Sequence, residues 1–207
     1  MQYPSYLKIP SQIVSVLFHP LIIPTLGCFV VFNSGFYLGL LPQKVMQAVY
    51  IVVFVLTFLL PSLIIPALYL QKYITSFSIE NRKERILPLA VVAIMYGLSY
   101  YFMQRSGFPP ILLKFIMASL ISIVVSMLVT LKWKISLHTM GLGGLTGLIL
   151  YLSIAYSLHL HSFIIVVILI SGITATSRMI AGDHTPAQVY TGFVGGTIIV
   201  ALAMALL

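Results

Sequence analysis

The chain has 207 residues and a formal net charge of +8, yet only 7% of its residues are charged and 60% are hydrophobic. A soluble domain carries about 25% charged residues, so this composition excludes a soluble globular protein. Apolar runs recur along the sequence at the length that a membrane-spanning helix requires, about 18 residues or more. The period-two alternation of outer-membrane barrel strands is absent, so we expect helical spans.

Seven apolar segments predict one all-α membrane domain over residues 1–207, a bundle of six to seven transmembrane helices. The first segment holds Pro20 and Pro24 and is too long for a straight span, so we expect it to be kinked or partly interfacial. The second carries Pro61 and Pro66, which predicts irregularity near its end, and the sixth is short. The predicted segments are 13–40, 46–70, 86–104, 110–131, 136–157, 162–177 and 186–206.

The loops after segments two, four and six are the unusually polar ones. If each segment crosses the membrane once, loops 71–85, 132–136 and 178–185 lie on the same face. The three acidic residues of the chain, Glu80, Glu84 and Asp183, lie in two of these loops. Ionisable groups at the edge of a membrane bundle are functional candidates. The alternative is that Glu80 and Glu84 form an ordinary ion-paired loop with the basic residues beside them.

His184 is predicted to lie at the positive end of a helix dipole. Pro186 fits the first turn of a helix, with Asp183 or Thr185 as its N-cap. Arg178 would end the preceding segment. Helix N-termini and arginine together form an anion site, and the planar guanidinium group suits phosphate.

A second histidine stands in a similar place, because Ser136 precedes the fifth segment and His138 lies in its first turn. Two histidines at one phosphate allow chemistry as well as binding. A neutral imidazole can attack phosphorus, and a protonated one can protonate the leaving oxygen. An ordinary histidine pKa of about 6.5 suits both roles near neutral pH.

These residues carry a resemblance to the type 2 phosphatidic acid phosphatase superfamily. The spacing Ser177-Arg178, five residues, His184 is similar to the third signature motif of that family, and Ile135-Ser136-Leu137-His138 is similar to the second, Pro-Ser-Gly-His. The first motif, a Lys followed by Arg-Pro, is matched only loosely. The resemblance covers about residues 76–196, and further positions that fit the motifs are Arg82, Lys83, Arg85, Pro88, Gly182, Pro186 and Gly192.

The resemblance implies a core like that of the family and metal-independent hydrolysis of a lipid phosphomonoester or diphosphate through a phosphohistidine, with no cofactor. His184 matches the nucleophile, and His138 matches the acid that protonates the leaving group and then helps to activate water. Groups that match holders of the phosphoryl oxygens are Arg178, Ser136, Ser177, Arg82, Lys83 and Arg85.

The sequence departs from the family pattern beside both histidines. Gln188 stands where the family has an Asp that orients the nucleophile. Its amide oxygen can still accept from a ring N–H of His184 at i, i+4, but it brings no negative charge. Asp183 is one candidate to compensate, although it could instead pair with Arg178, and Glu84 is a second candidate orienting acid. Leu137 replaces a flexible glycine.

A non-catalytic transporter or flippase for phospholipids or polyprenyl phosphates is therefore the main alternative. Two histidines would be superfluous for binding alone, which favours the enzyme. A magnesium-dependent prenyltransferase or CDP-alcohol phosphotransferase is disfavoured because Mg²⁺ prefers several carboxylates and the chain has one Asp. A structural subunit would leave the polar loops unexplained. The expected partners are a lipid phosphate and the bilayer, not nucleic acid.

The remaining polar features have simpler interpretations. His19 is predicted to hydrogen-bond another helix, and His159 and His161, on the opposite face, are a weak candidate for a metal pair. The stretch GLGGLTG, residues 141–147, follows no strand and lacks the Lys of a phosphate loop, so we expect close helix packing there.

The sequence leaves the lipid open among phosphatidic acid, phosphatidylglycerol phosphate, polyprenyl diphosphate and lipid A phosphates. We expect a bacterial cytoplasmic membrane. The excess of Lys and Arg on the motif face predicts a cytoplasmic site. Half of those basic residues, however, are candidate site residues. The resemblance to the family implies a site on the periplasmic side, and this is the side that we expect.

Overall fold

A computed structural model of the chain describes residues 5–73 and 82–207, and these residues form α-helices and short turns with no β-strand among them. Seven helical segments within this part of the chain are long and apolar enough to cross a membrane, which indicates an integral membrane protein. The α-helices are α1 (Lys8–Leu17), α2 (Ile23–Asn33), α3 (Gln43–Phe54), α4 (Leu60–Leu70), α5 (Ile86–Arg105), α6 (Pro110–Thr130), α7 (Leu137–Ala155), α8 (His161–Ile180) and α9 (Pro186–Leu206).

Most of the predicted segments agree with these helices to within a few residues. The sixth was predicted too short, since α8 runs for 20 residues and continues past Arg178 to Ile180. The helix can pass a charged residue because Asp183 and Ser15 bind the guanidinium group. In the second segment, the irregularity is a π-helical stretch, Val55–Leu59, directly before Pro61 and not near the segment's end. Proline removes an N–H and displaces the carbonyl one turn earlier.

The first segment is broken, not merely kinked. Helix α1 ends at Leu17, His19 adopts an extended backbone conformation with φ −63° and ψ 137°, and a 3₁₀ turn over Pro20–Ile22 leads into α2. Pro20 has no N–H with which to continue the helix, so the break falls where the sequence predicts a disturbance.

The two arms of this segment contact different helices, α1 mainly α8 and α2 mainly α3 and α7, and we call residues 8–33 with the bend between the arms the N-terminal hairpin. Along α1, Leu7 to Val14 share a groove with the C-terminal half of α8, and Ser15 contacts Arg178 near the end of that helix. Helix α2 then departs along α7. Its start lies beside Gly141. The tip of the hairpin therefore lies at the first turn of α7.

Three loops meet at this end of the bundle, which we call the polar end. Arg85 donates to the Ile135 carbonyl at 3.4 Å, and the Ser136 amide donates to the Gln188 carbonyl at 3.4 Å. The shared face predicted for the loops after segments two, four and six is thus confirmed for their described parts. Residues 74–81, including Glu80, lie outside the described residues.

Helices α7 and α9 approach each other through glycine, as predicted for GLGGLTG. A Cβ atom on Gly143 would clash with the Phe193 carbonyl, and one on Gly196 would clash with the Met140 carbonyl. Close backbone approach of this kind is how membrane helices gain packing energy without a hydrophobic driving force. It also fixes the separation of the two helix starts that carry His138 and His184.

We expect Gly196→Ala to destabilise the protein by about 1–3 kcal/mol, because the added methyl group must push α9 away from the Met140 carbonyl. Gly195→Ala is the matched control, since a Cβ atom at Gly195 would meet nothing within 4 Å. Thermal unfolding in detergent should show a lower midpoint for the first variant only. Equal midpoints for the two variants would contradict this packing.

Candidate functional site

A cavity of about 390 Å³ lies inside the polar end, between the N-terminal hairpin and helices α5 to α9. Its volume is within the range of small-molecule sites, about 300–1000 Å³. One part of its wall is polar and the rest is mainly apolar. The polar part is formed by Ser15, His19, Arg85, His138, Arg178, Asp183 and His184. The mainly apolar part includes Leu89, Val92, Tyr96, Phe115, Ile123 and Val200, together with Ser119, Ser122 and Ser126 of α6.

Five of the predicted site residues line this cavity together: His184, His138, Arg178, Arg85 and Asp183. They come from the turn before α5, the first turn of α7, the last turn of α8 and the loop before α9. These elements are far apart in the sequence, and only the parity of the membrane spans predicted that they would meet.

Arg178 is held in place from two sides. Its Nη2 pairs with Asp183 Oδ2 at 2.7 Å, and its Nη1 donates to Ser15 Oγ at 3.2 Å. Gly182, at φ +78°, makes the turn that returns Asp183 toward Arg178. Nε of Arg178 is buried and has no hydrogen-bond partner among the described residues. The guanidinium group is therefore oriented, with the N–H of Nε among the donors left for a ligand.

Hydrogen bonds at the start of α9 determine which nitrogen of His184 carries the proton. Thr185 is the N-cap, and its backbone N–H donates to Gln188 Oε1 at 3.2 Å in a capping box. The same Oε1 lies 3.1 Å from His184 Nδ1. An amide oxygen only accepts, so Nδ1 must carry the proton. Nε2 of a neutral His184 is left with its lone pair.

The surroundings of His184 keep this ring neutral. Burial is the main cause that lowers the pKa of His184 to about 3, and the positive charge of Arg85 is the next, with smaller effects of Arg178 and Lys134 in the same direction. The hydrogen bond to Gln188 acts against them. Arg85 is itself buried. Burial is the main cause that lowers the pKa of Arg85, and repulsion from Arg178 is the next. At neutral pH the site combines a neutral imidazole with cationic groups.

His138 lies against the N-terminal hairpin. Its Nε2 is 3.0 Å from the Ser15 carbonyl oxygen, and its ring meets that of His19 edge to face, with centroids 5.5 Å apart. Since a carbonyl oxygen only accepts, Nε2 of His138 carries a proton.

Among the predicted residues with described side chains, Ser136, Ser177 and Glu84 do not line the cavity. Ser136 is the fully buried N-cap of α7, makes no cap hydrogen bond, and its hydroxyl has no partner among the described residues. Ser177 donates to the Ile173 carbonyl and faces the groove between α1 and α8. Glu84 is half-buried beside Arg85. The backbone of Arg82 and Lys83 belongs to a 3₁₀ turn, while their side chains lie outside the description.

Sequence reasoning missed Ser15 and His19 as cavity residues. His19 was predicted to hydrogen-bond another helix, but its Nδ1 accepts from the Leu21 amide of its own 3₁₀ turn at 3.4 Å. A histidine directly before a helix-breaking proline was the available signal. His159 and His161 stack at the opposite end of the bundle, and no group of three possible metal ligands exists within the described residues.

Comparisons of the chain with models of protein families, with curated proteins and with solved structures give no match. The functional assignment therefore depends on the geometry of the cavity.

We expect Gln188→Glu to raise the pKa of His184 by about 1 to 3, because a carboxylate beside Nδ1 favours the imidazolium form. Glutamate keeps the length of the side chain and its place in the capping box. A pH titration of the His184 ring by NMR measures the shift. Gln104→Glu, at an exposed position in the last turn of α5, is the control and should leave the titration unchanged. A His184 pKa that does not respond to Gln188→Glu would contradict the assigned hydrogen bond.

Proposed function

We propose that the chain is a membrane lipid phosphatase with a core of the type 2 phosphatidic acid phosphatase kind, which hydrolyses a phosphomonoester or diphosphate headgroup through a phosphohistidine. One observation carries this proposal: the unprotonated Nε2 of His184 and two arginines line a single cavity that continues into an apolar chamber. A site that cleaves a lipid phosphate needs a nucleophile for phosphorus, cationic groups for the phosphate and an apolar chamber for the lipid chains.

The proposed first step begins with the phosphate bound between Arg85 and Arg178. Nε2 of His184 attacks phosphorus, an N–P bond forms, and the P–O bond to the lipid breaks. His138 takes the proton that the bound phosphate carries as its monoanion and gives it to the leaving oxygen, so the lipid departs as an alcohol or, from a diphosphate, as a monophosphate. The arginines stabilise the negative charge on the equatorial oxygens.

In the proposed second step, water attacks the phosphorus of phosphohistidine and gives a proton to His138, which passes it to the departing phosphate. The N–P bond breaks, inorganic phosphate leaves, and His184 returns to its neutral form. Both histidines thus end as they began. The neutral starting state of His184 supports this cycle, because a protonated ring would have no lone pair for the attack.

The apolar chamber supports a lipid over a soluble phosphate ester. Its wall is formed by α5, α6 and α9 side chains such as Val92, Phe115 and Val200, which would contact hydrocarbon. A soluble sugar phosphate would leave this surface without a partner. Phosphatidic acid, phosphatidylglycerol phosphate, polyprenyl diphosphate and lipid A phosphates all fit this description.

We expect the purified protein to release phosphate from a lipid phosphate in detergent, with no loss on adding a chelator. His184→Ala should reduce the rate by at least about 10³-fold, since it removes the nucleophile. His159→Ala, at the opposite end of the bundle, is the control and should retain the rate. Glycerol phosphate should be a poor substrate because it cannot fill the chamber.

An acid-labile phosphoryl group on the wild-type protein, absent from His184→Ala, would identify the intermediate. Loss of activity on chelation would contradict the metal-independent mechanism. Binding of lipid phosphates without release of phosphate from any of them would favour the alternative, a non-catalytic transporter or flippase.

We further propose a bacterial cytoplasmic membrane as the location, with the polar end on the periplasmic side. This assignment rests on the resemblance to the family and stands against the excess of basic residues at that end. Trp133→Cys, in a Cys28→Ala background, should react with a membrane-impermeant thiol reagent in intact cells. His159→Cys, at the other end, should react only after lysis. The reverse pattern would place the site in the cytoplasm.

A further inference from the structure

Two polar cavity residues at the tip of the N-terminal hairpin, Ser15 and His19, have no role in the proposed chemistry. We propose that they are positioning residues for His138, holding its ring so that Nδ1 is the nitrogen that gives and receives the proton. The reaction itself rests on the proposed function, whereas the orientation of the ring can be tested independently of any activity.

The Ser15 carbonyl is free of a helical hydrogen bond because α1 ends at Leu17. Phe18 donates to the Val14 carbonyl, and His19 then turns into an extended conformation. Within the described residues, no backbone N–H that follows the end of α1 donates to Ser15. Carbonyls in the last turn of a helix need partners from elsewhere. His138 Nε2, at 3.0 Å, is that partner.

The tautomer of His138 follows from this contact. Because the Ser15 carbonyl only accepts, the ring nitrogen that faces it must carry a proton, and a ring rotated by 180° would present the Cε1 carbon there instead. In the observed orientation Nε2 carries the proton that is donated to Ser15. Nδ1 has no hydrogen-bond partner among the described residues, and the ring lines the cavity. The nitrogen that can exchange a proton with a ligand is therefore Nδ1.

Ser15 also connects the proton donor to the phosphate clamp. Its hydroxyl donates to the Ser11 carbonyl at 2.9 Å and accepts from Arg178 Nη1 at 3.2 Å. One residue of the hairpin thus contacts His138 through its carbonyl and Arg178 through its hydroxyl. These partners belong to α7 and α8, and Ser15 holds them in register.

His19 supplies the second constraint on the His138 ring. Its own ring is fixed by the hydrogen bond from the Leu21 amide, and it meets His138 at an interplanar angle of 81°. A fixed ring packed edge to face limits rotation of its neighbour. Phenylalanine cannot accept the hydrogen bond from Leu21, but it keeps an aromatic ring packed against His138, so it should be able to replace histidine in this role.

The test is ¹⁵N NMR of protein labelled at histidine, which has five such residues, with His138→Asn used to assign the signal. The wild type should show protonated Nε2 and unprotonated Nδ1 on His138 at pH 7.5. His19→Ala should give a mixture of tautomers, and His19→Phe should restore the single form. His161→Ala, at the opposite end of the bundle, is the control and should change nothing.

Turnover gives a second readout. His19→Ala should lower kcat by about 10- to 100-fold with little change in KM, as expected for a misplaced catalytic group. His19→Phe should recover kcat to within about threefold. A wild-type His138 protonated on Nδ1 alone would overturn the proposal, and so would a His19→Phe variant as slow as His19→Ala.

The two proposals can fail separately. If the protein hydrolyses no lipid phosphate but His138 shows the expected tautomer, with the expected response to His19→Ala, the proposed function is wrong and the positioning role stands. If His184→Ala abolishes turnover but the tautomer is the opposite one, the positioning role is wrong. The wild-type tautomer is measured without the His19→Ala variant, so a misfolded His19→Ala protein does not prevent the test.

Discussion

The guanidinium group of Arg178 lies where an apolar bundle meets its polar end, and its burial constrains the structure around it. A buried cation must be paired and hydrogen-bonded. Asp183 supplies the charge, which requires the turn at Gly182, and Ser15 supplies a hydroxyl, which requires α1 to lie along α8. The hydrogen bond and the ion pair of Arg178 thus bring the N-terminal hairpin and the loop before α9 to the same cavity.

Backbone groups at helix ends determine the protonation of all three histidines in the cavity. The Thr185 amide donates to Gln188 Oε1, and the same oxygen accepts a hydrogen bond from Nδ1 of His184. The Ser15 carbonyl accepts a hydrogen bond from Nε2 of His138, and the Leu21 amide donates to Nδ1 of His19. Helix ends have amides and carbonyls without helical partners, so they can fix imidazole rings where the apolar interior cannot. Each histidine presents one defined nitrogen to the cavity.

The features that the sequence predicted are those set by local pattern. Apolar runs gave the seven segments, their parity gave the common end of three loops, and i, i+4 spacing gave the contact of Gln188 with His184. The hairpin was not predicted, because the contact between Ser15 and His138 joins residues 123 positions apart. Ser177 shows a different limit. It adjoins Arg178 in the motif, but successive residues of a helix point about 100° apart. Arg178 lines the cavity and Ser177 faces the groove outside it.

The resemblance to the phosphatase family implies an orienting aspartate at the position of Gln188, and the neutral amide that stands there fits the charges that surround it. An aspartate would raise the pKa of His184 and would offset part of the positive charge of Arg85 and Arg178. The neutral amide orients the ring through the same hydrogen bond and leaves that charge for the ligand. Asp183 does not restore the missing carboxylate, because it is committed to Arg178 at 2.7 Å. Of the charged residues that line the cavity, two are arginines and one is an aspartate, so the proposed phosphate would meet a net positive charge. Gln188 stabilises a charged imidazole less than an aspartate would, and His184 therefore stays neutral, as the proposed nucleophile must be before a substrate binds.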